Sequence, residues 1–189
     1  MKSPVAWLLA LLGFIALFSG CSVRHDLSDS EKSVLMTEKY FANYSEKAGK
    51  SITGKFKKTY NYLNSSSQLE YQNDPKTAVF FVYSIVALED SVGKAVTMEV
   101  SYRTGVTVGF KYSGVEEEPI KLTGKIGQHV SLSLLKYQGK PAGNLLTAVI
   151  DNKTVLLMFT GIYFDNEDSF QEFIEPYLSR VIEFKPDKN

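Results

Sequence analysis

VSLSLLKYQGKPAGNLLTAVIDNKTVLLMFTGIY, residues 130–163, is the stretch that decides the fold. Three apolar runs, 130–137, 144–150 and 154–163, are rich in Val, Ile, Leu and Phe, residues that suit a pleated, buried surface. Gln138-Gly139-Lys140-Pro141-Ala142-Gly143 separates the first pair and Asp151-Asn152-Lys153 the second. Gly, Pro, Asn and Asp supply turn conformations, so the runs predict an antiparallel meander. Downstream, Asp165-Asn166-Glu167-Asp168 offers a cap and acid in a first helical turn, where the helix dipole favours negative charge. Phe170, Phe173, Ile174, Tyr177, Leu178, Val181 and Ile182 then recur at helical intervals, with Pro176 expected to kink or divide the helix.

Working back from the meander, Val106, Val108, Phe110 and Tyr112 alternate as in a strand that Gly114 ends. Residues 91–104 fit either a helix or a strand; Glu89-Asp90-Ser91 before them and Gly105 after favour a helix. Residues 77–88 form an apolar strand, residues 68–72 a shorter one, and Asn73-Asp74-Pro75-Lys76 a turn between them. Glu116-Glu117-Glu118-Pro119 reads as a solvated loop before a short run at 120–123. Ser28 and Glu31 have capping-box spacing, and Val34, Leu35, Phe41, Tyr44 and Ala48 continue a helical pattern until Gly49, predicting a helix over 29–48. The fold class expected is α+β: a mainly antiparallel sheet of about six to seven strands with an N-terminal and a C-terminal helix packed on it.

The chain begins differently. After Lys2, residues 5–18 are an uninterrupted apolar stretch, short of the roughly 20 residues a membrane-spanning helix needs. Leu17-Phe18-Ser19-Gly20-Cys21 resembles the lipobox of bacterial lipoproteins, with Phe18 where that family prefers Leu. Cys21, the only cysteine, falls where the lipobox requires one. The resemblance implies cleavage before Cys21, diacylglycerol on its thiol and a further acyl group, such as palmitate, on the new amino terminus. With Ser22 rather than Asp following the cysteine, it implies the outer membrane facing the periplasm in a Gram-negative cell, or the outer face of the plasma membrane in a Gram-positive one. The domain organisation expected is therefore a signal peptide over 1–20, a lipidated cysteine and tether over 21–28, and a single α+β domain over 29–189. A six-residue tether spans at most about 20 Å, which would hold the domain, and its tether residue His25, close to the lipid.

Composition narrows the function. The 44% hydrophobic and 22% charged content suits a globular chain, and 21 basic against 21 acidic residues lacks the basic excess of a general nucleic-acid binder. One cysteine and two histidines cannot build a zinc site of the usual Cys/His kind, nor a disulfide within the chain. Gly49-Lys50-Ser51 ends like a phosphate-binding loop, but Tyr44 stands where its first glycine belongs. No G-x-S-x-G or His-Glu-x-x-His motif occurs, and the one histidine beyond the tether, His129, reads as structural. Asp165, Glu167 and Asp168 lack the spacing of a calcium loop. No catalytic residue, metal ligand or cofactor is expected, and no nucleic-acid partner.

Lys47, Lys50, Lys55, Lys57 and Lys58 form a basic cluster with no acid after Glu46, followed by Tyr60 and Tyr62. Lys50, Lys55, Lys57 and Lys58 are the candidate contacts to anionic headgroups or an envelope polymer, the alternative being a solvated loop. The element order, with the 139–144 turn, the runs through Leu156 and Phe159-Thr160-Gly161, and the 170–182 helix, is similar to the PsbP-like fold, an antiparallel sheet flanked by helices whose members mostly bind or assemble protein complexes. The expected function is a non-enzymatic, membrane-anchored envelope lipoprotein that binds a protein partner or assists assembly. The alternative is a carrier of lipid or another apolar ligand, in a cleft between the sheet and the C-terminal helix.

Overall fold

In the computed structural model, the described residues are 22–44, 54–61, 65–73, 80–123, 127–186. Eight strands form one antiparallel sheet: β1 (Ser22–His25), β2 (Gly54–Asn61), β3 (Ser66–Asn73), β4 (Phe81–Leu88), β5 (Val115–Ile120), β6 (Gln128–Tyr137), β7 (Lys140–Ile150) and β8 (Lys153–Thr160). Their spatial order is β1-β2-β3-β4-β8-β7-β6-β5. Among the described residues three α-helices accompany them: α1 (Asp29–Ser33), α2 (Val92–Ser113) and α3 (Glu167–Glu183). The α+β class and the mainly antiparallel sheet are as the sequence reading has them, with β1, β2 and β5 as strands it did not foresee.

β4 and β8 lie side by side in the middle of the sheet and are buried along their whole length. Such strands read as unbroken apolar runs because both faces are covered. On one face α2 packs over Phe81, Tyr83, Ile85, Leu156 and Met158. On the other, α3 and residues 27–41 enclose a larger core around Val82, Val86, Leu157 and Phe159. That second layer is aromatic: Phe41 lies 4.5 Å from Phe80 and 4.9 Å from both Phe159 and Phe173, and Phe164 stacks on Phe173 at 4.8 Å.

The meander stands as predicted, with one tighter turn. Gln138 and Gly139, at φ 53° and 72°, make the whole β6–β7 connection, and residues 140–143 extend β7 instead of forming a loop. Positive φ at both turn positions gives the primed turn whose twist matches the flanking strands. α3 also stands, continuous across Pro176, and is neither divided nor ended there. Its cap is Asn166, whose side chain accepts from the Ser169 N–H at 3.0 Å.

Three expectations are corrected. The strand expected over residues 106–112 belongs to α2, which runs to the left-handed cap Gly114. Val106 and Phe110 are buried one turn apart, while Tyr112 is 78% exposed, so the alternation in the sequence is not realised. The ambiguous 91–104 segment is the first part of the same helix, capped by the Ser91 hydroxyl on the Lys94 N–H. The N-terminal helix expected over 29–48 is only the short α1, capped by the Ser28–Glu31 box, followed by a single 3-10 turn (Glu38–Phe41). Val34, Leu35 and Met36 are consecutive and all buried, which one helix face cannot achieve, and the Met36 N–H instead bonds Ser84 Oγ at 3.1 Å. Its expected end, residues 45–48, lies outside the described residues. Glu116 to Pro119 form the edge strand β5 rather than a loop; the missing N–H of Pro119 is tolerated at an edge.

Candidate functional site

β2 alternates strictly once its register is known. Phe56 pairs with Tyr71 and Lys58 with Leu69, on the face shared with α3; Lys55 pairs with Gln72 and Lys57 with Glu70, on the face shared with α2. Period-2 geometry therefore splits the lysine cluster between two sides of the molecule. Lys58 turns inward, its ammonium 2.6 Å from Glu31, with side chains 13% and 3% exposed. Lys57 lies 3.5 Å from Glu70. Lys55 is exposed, and Lys47 and Lys50 lie outside the described residues.

The solvated loop expected around these lysines is thus a strand. Its signal was present in the alternation of Phe56, Lys58 and Tyr60 against Lys55, Lys57 and Thr59, but the buried Lys58 interrupted the apolar phase. An inward lysine carries a specific cost when its charge is reversed. Lys58→Glu would bring two carboxylates together where Glu31 has little water, and is expected to destabilise the domain by about 3 kcal/mol. Lys55→Glu should stay within about 0.5 kcal/mol of the parent. Urea unfolding of the two variants measures this; equal midpoints would show that the Lys58–Glu31 pair carries no stability.

Beyond Lys57, a polar network that no motif announced spans the α2 side of β3. Gln68 Nε2 donates to Glu70 Oε2 at 3.2 Å, and the Tyr102 hydroxyl from α2 donates to Gln68 Oε1 at 2.7 Å. Burial pushes the Tyr83 phenol well up, and the Glu70 carboxylate beside it pushes further. Burial likewise raises Tyr102, which faces Glu89 and Glu70. Glu89 is itself pushed up to about 7, first by burial and then by neighbouring Asp90, against the opposing pull of Lys94. Deeper still, the Thr147 hydroxyl donates to the buried Glu99 at 2.5 Å. The network offers fixed charges and hydrogen-bonding groups at the margin where the sheet extends past α2.

The remaining candidates are accounted for structurally. His129 is exposed at the start of β6 with φ 48°. Glu167 accepts from both the N–H and the hydroxyl of Thr123, at 2.6 and 2.7 Å. Glu117 accepts from the Thr107 and Ser133 hydroxyls, and Glu118 pairs with Lys136. Among the described residues no group of three or more His, Cys, Asp or Glu side chains is placed to hold a metal ion.

Cys21 lies outside the described residues, but Ser22 does not. Ser22–His25, expected as part of a short polar tether that includes His25, is strand β1, with Ser22 opposite Asn61 and His25 opposite Lys58. Backbone pairing with β2 competes successfully with solvation for this short polar segment. Leu27 then enters the core at 6% exposure.

No protein-family model, curated protein or solved structure matches this chain.

Proposed function

We propose that this chain is a non-enzymatic lipoprotein of the bacterial cell envelope, anchored through Cys21 and binding a protein partner at the membrane surface. One observation carries the reading: the only cysteine ends a lipobox-like run and directly precedes the first strand of the fold. Consecutive Cα atoms are about 3.8 Å apart, so an acyl group on Cys21 would bring the edge of the sheet to the headgroups with no intervening linker. The two or three chains that the lipobox implies provide a lasting hold, since each buried CH₂ contributes about 0.8 kcal/mol.

The binding role is favoured over the carrier role by the packing beneath α3. The place proposed for an apolar ligand, between sheet and C-terminal helix, is filled by Phe41, Phe80, Phe159, Phe164, Phe170 and Phe173, each at most 8% exposed. Rings in mutual contact at this density leave side chains, not a guest, as the occupants of that layer.

The test is photo-crosslinking in living cells, with the crosslinker at the exposed Lys55 position, followed by mass spectrometry of proteins and lipids. One envelope protein recovered in stoichiometric amount supports the binding role. Extractable lipid from the purified chain, with no protein crosslink, would replace it with the carrier role.

A further inference from the structure

Glu89 directly follows β4 and stands just before the Ser91 cap of α2. Both of its backbone groups are taken by the β7–β8 turn: its N–H bonds the Asn152 carbonyl at 2.9 Å, and its carbonyl accepts from the Asn152 side chain. The side chain continues the alternation of Phe81, Tyr83, Ile85 and Ala87 towards α2, where it faces the Tyr102 phenol. Glu89 is 5% exposed, and its Oε1 is sealed from solvent with no hydrogen-bond partner among the described residues. Leaving such an oxygen unpaired is costly, and more so when it carries charge. The surrounding groups do little to offset that charge. Asp90 adds a like one, and Lys94, which pulls the other way, is committed to Asp90 at 2.6 Å. Beyond Tyr102 lies another carboxylate, Glu70. On the turn, Asp151 is exposed, and Lys153 reaches away to the Ile182 carbonyl at 3.4 Å. Burial first, and then Asp90, push the Glu89 carboxyl up to about 7.

The chain around this carboxyl is lightly held. Ser91, Val92, Gly93 and Lys94 are all exposed, and Ala95 is the first buried residue of α2. From Ala95 onward the helix is tied down, its carbonyl accepting from the Thr154 hydroxyl of β8 at 2.7 Å. Before it, the ties are the Asn152 bonds and the Ser91 hydroxyl on the Lys94 N–H at 3.3 Å. We propose that Glu89 is a proton-operated clasp: with its proton it lets residues 89–94 close on the β7–β8 turn, and without it that junction opens to water while β4, β8 and the rest of α2 stay folded. Opening a short, exposed segment hydrates the carboxylate at less cost than parting the sheet. The direction with pH follows. An acid raised on folding from 4.5 to about 7 contributes stability that is complete below about 4.5 and is lost as the pH rises through about 7. Tyr83 and Tyr102, raised by burial, titrate above that window, and Asp90, lowered by its hydrogen bond from Lys94, titrates below it. The clasp does not depend on the Cys21 anchor.

Glu89→Gln keeps the shape of the neutral acid and cannot ionise. Parent and variant, each as the full chain in a neutral detergent, are unfolded in urea at pH 5 and at pH 8. Over that interval the folding equilibrium constant of the parent is expected to fall by about tenfold or more relative to the variant. Hydrogen exchange at the same two pH values, expressed as protection factors, locates the change. The amides of Glu89, Lys94 and Ala95, all bonded within the junction, should lose protection at pH 8 in the parent far more than those of β8, and should keep it in Glu89→Gln. If the variant does not fold, the exchange of the parent decides. The same pH dependence in both proteins, or protection lost evenly across the junction and β8, overturns the proposal.

Discussion

Cys21→Ala is expected to abolish acyl labelling of the protein and to move it from the membrane fraction towards the soluble one. The size of the effect follows from the chains lost. At about 0.8 kcal/mol per buried CH₂, a single acyl chain gives only marginal binding, and it is the second that makes attachment lasting. Radiolabelled fatty acid incorporation, read beside fractionation, checks the result. Acyl labelling unchanged in Cys21→Ala would refute the lipobox reading.

Gly143→Ala should be among the most damaging single substitutions in the domain. Gly143 sits in β7 between β6 and β8, paired with Leu135 and Thr160. A Cβ there would lie 1.9 Å from the Phe159 carbonyl oxygen and 2.8 Å from the Thr160 Cα. Both are backbone atoms of the central strand β8, so no side-chain rotation relieves the overlap and the strands must separate. Overpacking usually costs about 1–3 kcal/mol, and a backbone clash beside the central β4–β8 pair should reach or exceed the top of that range. Gly114→Ala is the matched control. Its φ is +73°, but nothing lies within 4 Å of the added carbon, so only the left-handed backbone is strained, at about 1 kcal/mol. Urea unfolding should place the Gly143 variant well below the Gly114 variant; coincident midpoints would mean that β7 and β8 part more easily than their burial implies.

The elements legible in the sequence are those whose hydrophobic period agrees with their burial. β6, β7, β8 and α3 were readable because turn residues punctuate them and their apolar positions face a core. α2 was half legible. Its Ser91 cap gave the start, but β-branched Val96, Val106 and Val108 suit strands, and helix and strand templates both fit a run of alternating valines. What decided the outcome was tertiary: Ala95, Tyr102, Val106 and Phe110 fit the groove over β4 and β8. The hydroxyls of Thr97, Ser101 and Thr104 bond carbonyls four residues back, satisfying polar groups that a sequence reading would assign to loops. β1 was illegible because one valine among three polar residues carries no period; only the partner strand makes them a strand. Of the candidate site, the lysines were visible as a cluster, but their division between two faces required the β2–β3 register.

Every neighbouring pair in the sheet is also consecutive in the chain, except where β4 meets β8. The intervening chain, from Leu88 to Lys153, must be looped out before that seam can close, and closing it sets a kinetic demand that the hairpins do not. β2 to β4 and β5 to β8 can each assemble through short connections, leaving two half-sheets whose most apolar edges face water. The lifetime of those halves, rather than the stability of the finished sheet, sets how long the newly made chain is exposed to aggregation.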